Sequence, residues 1–179
     1  MIVPIASQRA GRALEFGLYR DGDNNLDLVQ GKTIAQAADT SRADRSVEFT
    51  VEDTTARDQF GARTKLHTED YKIDGGGIVD RSVSRRPHDM AARSNLAAFV
   101  ARTLENAHTA HAAQTWVDLV DHGAGDGGGL EADHGSDSMR SDDIAGATAD
   151  GVALHAKEHP DDAQRKVDGL VANQCQTAA

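Results

Sequence analysis

Residues 114–125, Gln114-Thr115-Trp116-Val117-Asp118-Leu119-Val120-Asp121-His122-Gly123-Ala124-Gly125, decide how this chain is read. The first seven are rich in β-branched and aromatic residues and predict a strand. That strand runs directly into a histidine set between Asp121 and Gly123. The same arrangement recurs on either side. Ala13 to Tyr19 predicts a strand that ends in the polar turn cluster Arg20-Asp21-Gly22-Asp23-Asn24-Asn25. Val167 to Ala172 predicts another, ending in Asn173-Gln174-Cys175, the single cysteine of the chain.

Helical patterns separate these strands. Leu26 to Ala38 has apolar residues at helical spacing, weakened by Gly31. Ser46 to Val51 alternates and predicts a second strand, 63–73 a hairpin arm, and Asp74-Gly75-Gly76-Gly77 a turn. Ser84 to Asp89 reads as loop. Ser94 to His108 is the strongest helix, with Leu96, Phe99, Val100, Thr103 and Leu104 on one face and Ser94 or Asn95 as its cap. Ser141-Asp142-Asp143 opens a last helix carrying Ile144, Ala147, Val152 and Leu154, which Pro160 closes. Strands alternating with helices predict an α/β fold with parallel crossovers. In such sheets reactive groups gather at the carboxyl ends of strands, where all three unusual segments lie.

Composition narrows the function. A chain of 179 residues suits one domain, and with 4% aromatics its core must be mainly aliphatic. A net charge of -10 opposes binding to nucleic acid or to an anionic membrane surface. No apolar run reaches the roughly 18 residues of a membrane span. At the N-terminus the short patch Ile2 to Ala6 precedes Arg9 and Arg12, the reverse of a secretory signal; cytoplasmic placement and secretion after processing both stay open. One cysteine excludes an intrachain disulfide and a four-thiolate zinc site.

A cysteine attacks as thiolate and needs a base, for which imidazole has a suitable pKa. His122 and Cys175 end consecutive predicted strands, at a separation close to the roughly 50 residues typical of caspase-type enzymes. Gly123 lets a substrate approach the backbone, and the amides of Gly123 and Cys175 are candidates for an oxyanion hole.

These residues resemble a family. Leu18-Tyr19-Arg20-Asp21-Gly22-Asp23-Asn24-Asn25-Leu26 is similar to the opening motif of clostripain-like cysteine peptidases. Leu119 to Gly125 resembles their catalytic histidine segment, Asn95 to Phe99 the helix before it, and Val171 to Cys175 the nucleophile segment. The resemblance implies a caspase-like three-layer sandwich with a mostly parallel central sheet, incomplete at its C-terminal side. Residues 1–12 would be a lead-in and 13–179 the peptidase domain up to just past the nucleophile. It further implies a cysteine endopeptidase working through a Cys175–His122 dyad and an acyl-enzyme, with Asp21 and Asn173 at the substrate pocket. Implied partners are a peptide or protein substrate and a C-terminal chain that completes the fold. No cofactor is required, although some family members use calcium. The family carries Asp where this chain has Asn173, which weakens the implied preference for Arg or Lys. A non-catalytic interaction module on the same fold is the alternative.

Other patterns read more plainly. Asp21, Asp23 and Asn25 have the first spacings of a calcium loop, but Leu26 and Lys32 stand where Gly and Glu are needed. Gly127-Gly128-Gly129 lacks the Lys-Ser/Thr of a phosphate loop and reads as a flexible loop. Asp133, His134, His155 and His159 could be imagined as ligands, but surface histidines on an Ala-rich helix are the simpler reading, so no metal site is expected.

Overall fold

The computed structural model describes residues 11–22, 30–57, 63–121, 130 and 138–174. Six strands, β1 (Leu14–Gly22), β2 (Val47–Arg57), β3 (Arg63–Asp74), β4 (Gly77–Ser84), β5 (Gln114–Asp121) and β6 (Gly169–Gln174), form one sheet in the order β4-β3-β2-β1-β5-β6. The helices are α1 (Gln30–Ala43), α2 (Arg93–Ala110) and α3 (Ser141–Glu158), followed by a short 3-10 turn at Pro160–Asp162. β2, β1, β5 and β6 are mutually parallel; β3 and β4 add an antiparallel meander at one edge. No helix among the described residues is long and apolar enough to cross a membrane.

Alternation along the strands divides the chain into two cores. Tyr19, Val117 and Leu119 bury against Leu96, Phe99, Val100 and Leu104 of α2 and Ile144 and Ala147 of α3. On the opposite face Leu18, Phe49, Val51, Tyr71 and Ile73 bury with Ala37 of α1. The sheet is thus the middle of three layers. From β1 the chain passes through α1 on one face to β2, whereas α2 and α3, which serve β5 and β6, lie on the other. The direction of progress reverses at β1, and right-handed crossovers then require the helices to change faces.

One close approach holds α3 against α2. A Cβ on Gly151 of α3 would lie 2.6 Å from both the Ala97 carbonyl oxygen and the Val100 Cβ of α2, so only glycine permits this contact. Gly75 and Gly76 have φ of 59° and 85° and form the β3–β4 turn.

Several local expectations change. β1 continues through Arg20, Asp21 and Gly22, read from composition as a turn, because Arg20 and Asp21 are buried in the sheet. α1 is described from Gln30 and runs on to Ala43, and β2 extends to Arg57. β4 was not anticipated: its residues are almost all exposed, so it carries no alternation to read. Ser94 and Asn95 do not cap α2; Ala92 is its N-cap, and the Asn95 side chain donates instead to the Asp89 carbonyl at 2.9 Å. The last strand begins at Gly169 rather than Val167. The apolar face expected for α2 is the buried one.

Candidate active site

The carboxyl ends of β1, β2, β5 and β6 share one edge of the sheet. There β5 and β6 pair in parallel with Val120 beside Asn173 and Asp121 beside Gln174, and β1 pairs with β5 with Arg20 beside Val120. The two strands expected to carry the base and the nucleophile are therefore direct neighbours. The connections that follow β1 and β5 lead to α1 and α3, which cover opposite faces. Such a divergence opens a crevice between strand ends, the usual binding position in open parallel sheets.

Polar side chains are buried at this edge. Arg20 is 3% exposed and lies 3.8 Å from Asp53, its register partner on β2. Asp21, Thr54, Thr55 and Asp121 are likewise buried. By alternation Asp21 and Asp121 lie on the α2–α3 face, one residue beyond the Arg20–Val120 pair. On the α1 face lie Asp118, Val120, Val171 and Asn173. Asp118 is half-buried, its Oδ1 has no hydrogen-bond partner among the described residues, and burial raises its pKa, opposed by the nearby charge of Arg20.

A charged network braces the sheet behind this edge. The Arg102 guanidinium of α2 donates to Glu52 on β2 and pairs with Asp70 on β3, each at 2.7 Å. Glu52 also meets the His88 Nδ1 at 2.9 Å. The Thr54 and Thr68 hydroxyls join β2 to β3 at 2.8 Å, and Tyr19 donates to the Met90 carbonyl at 3.1 Å. Together these contacts tie β1, β2, β3 and α2 into one frame. None of them stood out in the sequence, because Glu52 and Arg102 are ordinary charged residues until the fold opposes them.

Of the residues singled out from sequence, Asp21 and Asn173 are described. The first is buried on the α2–α3 face and the second is exposed on the α1 face, two strands away, so the two side chains do not line one wall. His122, Gly123 and Cys175 lie outside the described residues, as do Asp23 to Asn25, Gly127 to Gly129, Asp133 and His134. The reading of His155 as a surface histidine is corrected: it is 1% exposed, because Gly151 lets α3 settle onto α2.

No family model matches the chain, and no curated protein matches its sequence. Solved structures do resemble it. A secreted C11 cysteine protease from Bacteroides thetaiotaomicron, in complex with an irreversible peptide inhibitor, has a TM-score of 0.53 at 15% identity, over 77% of this chain and 39% of that one. A second structure, of the secreted C11 cysteine protease called iotapain from the same organism, has a TM-score of 0.39 at 12% identity, over 65% and 31%. The chain thus spans about two fifths of the first neighbour's length. The likeness establishes the fold: a caspase-like three-layer α/β sandwich with a mostly parallel six-stranded sheet, present as a partial domain.

Proposed function

We propose that this chain is the front part of a clostripain-like cysteine endopeptidase, with Cys175 as nucleophile and His122 as general base. The observation that carries the reading is the pairing of Asp121 with Gln174 on adjacent parallel strands. Each of these residues immediately precedes one member of the dyad. One peptide unit spans about 3.8 Å and neighbouring strands lie about 4.8 Å apart, so the covalent chain limits how far an imidazole and a thiol anchored there can stray from each other. The caspase-like fold of the C11 protease neighbour supports the same reading.

In this mechanism His122 takes the Cys175 proton and the thiolate sulfur attacks the scissile carbonyl carbon. The amide N–H groups of Gly123 and Cys175 stabilise the resulting oxyanion. The C–N bond then breaks as the imidazolium passes its proton to the leaving amine, which leaves a thioester. Water attacks the thioester, giving a proton to His122, and the imidazolium returns it to the departing sulfur. The balance is hydrolysis of one peptide bond.

A second chain or a following segment of chain is the proposed structural partner. β6 lies at the end of the sheet, with Leu170 and Val171 exposed on its two faces and Trp116 exposed beside it. An apolar edge that pairs with no other strand among the described residues is suited to accept one.

Labelling with iodoacetamide near neutral pH tests the assignment. The parent protein should alkylate rapidly at Cys175, and His122→Ala should slow it by roughly 100-fold or more, the scale of a general base. Equally slow labelling of both forms would favour the second reading, an inert interaction module on the same fold, for which Asn173 in place of the family's Asp speaks.

A further inference from the structure

The carboxyl-terminal ends of α2 and α3 lie just before β5 and β6 begin, and so at the opposite edge of the sheet from the candidate active site. There the close contact at Gly151 brings Glu105 and His108 of α2 against His155 of α3 and His159, the residue after its last turn. The potential ligand atoms of Glu105, His155 and His159 all lie within 4.8 Å of one another. His159 Nε2 is in contact with Glu105 Oε2, and the rings of His155 and His159 stack with centroids 4.9 Å apart.

His155 makes this more than a cluster. It is 1% exposed, and its Nδ1 has no hydrogen-bond partner among the described residues. Its Nε2 faces Asp162 Oδ2 at 3.4 Å, which leaves Nδ1 as the orphaned atom. Buried polar groups are nearly always satisfied, and an orphaned one calls for a missing partner. An ion would supply it.

We propose that Glu105, His155 and His159 bind a divalent transition-metal ion, with zinc the best fit. Two imidazoles and one carboxylate are a zinc donor set. Calcium, a hard ion that takes oxygen ligands, does not suit a mainly nitrogen site. Asp162 supplies the outer support. It accepts hydrogen bonds from His108 Nδ1 at 2.8 Å and from Arg165 Nε, which hold its carboxylate beside His155. A carboxylate so placed orients a ligating imidazole. The Glu105 and His159 side chains are 43% and 25% exposed, so an ion can enter from solvent. Once bound, it clamps α2 to α3 on the layer that supports β5 and β6.

The test uses the whole chain, stripped with chelator, and zinc chloride followed by calorimetry and thermal unfolding. Cobalt chloride gives a visible absorption band as an independent readout. One equivalent of zinc should bind and raise Tm, while calcium at the same concentration should not. Glu105→Gln and His159→Ala, both on the open rim, should each weaken binding roughly tenfold or more. His67→Ala, elsewhere on the sheet, should not. The double variant His122→Ala/Cys175→Ala should bind zinc as the parent does, which separates this site from the proposed dyad. Absence of saturable zinc binding, undiminished binding in both rim variants, or loss of binding in the dyad variant would each overturn the proposal.

Discussion

Asp121 and Gln174 face each other in register across β5 and β6, and the ring of Trp116 lies over Gly169 at the beginning of the same strand pair. A Cβ on Gly169 would come within 2.6 Å of that ring. Gly169→Ala is expected to destabilise the protein by about 1–3 kcal/mol, as overpacking does, and to slow alkylation of Cys175 by disturbing the register. Trp116→Ala should relieve most of the damage, because it removes the obstructing ring. Urea unfolding of both single variants and the double variant measures the coupling; strictly additive losses would show that the ring does not set this pairing.

Asn173 pairs with Val120 and is exposed on the α1 face. If this position helps select the substrate side chain, Asn173→Asp adds the charge that a basic side chain needs. Labelling by an irreversible peptide ending in Arg should then accelerate at least tenfold relative to one ending in Ala, a modest fraction of what a close ion pair can supply. An unchanged ratio would remove residue 173 from the pocket.

Glu15 is fully buried on the α2 face. Its Oε1 accepts from the Thr50 hydroxyl at 2.6 Å, and its Oε2 has no hydrogen-bond partner among the described residues. Burial, opposed by that hydrogen bond and reinforced by Glu48, raises its pKa from 4.5 to about 7. Between these values the unfolded chain has released a proton that the folded chain keeps, so stability falls as pH rises through that window. The loss is on the order of 3 kcal/mol, complete above about pH 7 and absent below about pH 4.5. Glu15→Gln should therefore match the parent near pH 4 and exceed it by roughly 2–3 kcal/mol near pH 8. Denaturant titrations across this range give the slope directly; parallel curves for the two proteins would refute the assignment.

Gly151 sits where α3 touches the α2 backbone. Alanine there has higher helix propensity by about 1 kcal/mol, yet its methyl would strike the Ala97 carbonyl oxygen. The clash should win, with Gly151→Ala costing about 1–3 kcal/mol net. The same variant should weaken zinc binding, since it parts the helices that carry Glu105 and His155. Greater stability with undiminished zinc uptake would mean that the contact is soft.

Much of the fold was legible locally. Apolar residues at helical spacing marked Leu96 to Leu104, and β-branched and aromatic residues marked Gln114 to Val120, since both signals lie within a few residues of one another. Arg20 and Asp21 misled because charged residues near Gly and Asn look like a turn; the sheet buries them through cross-strand partners such as Asp53 that no local window contains. Ile78 and Val79 concealed β4, because an exposed edge strand has no buried face to impose alternation.

The spacing of His155 and His159 was visible in the chain, but Glu105 belongs to another helix, and only the packing of α3 on α2 brings it near. In the same way, the placing of His122 and Cys175 after consecutive predicted strands was a local reading, whereas the parallel pairing of β5 with β6 belongs to the tertiary structure. The amino-acid order alone determined the periodic elements and the residue types at their ends, because those depend on local backbone preference and side-chain spacing. Register, burial of charge and the meeting of distant helices were decided only by the folded chain, because they depend on which surfaces exclude water together.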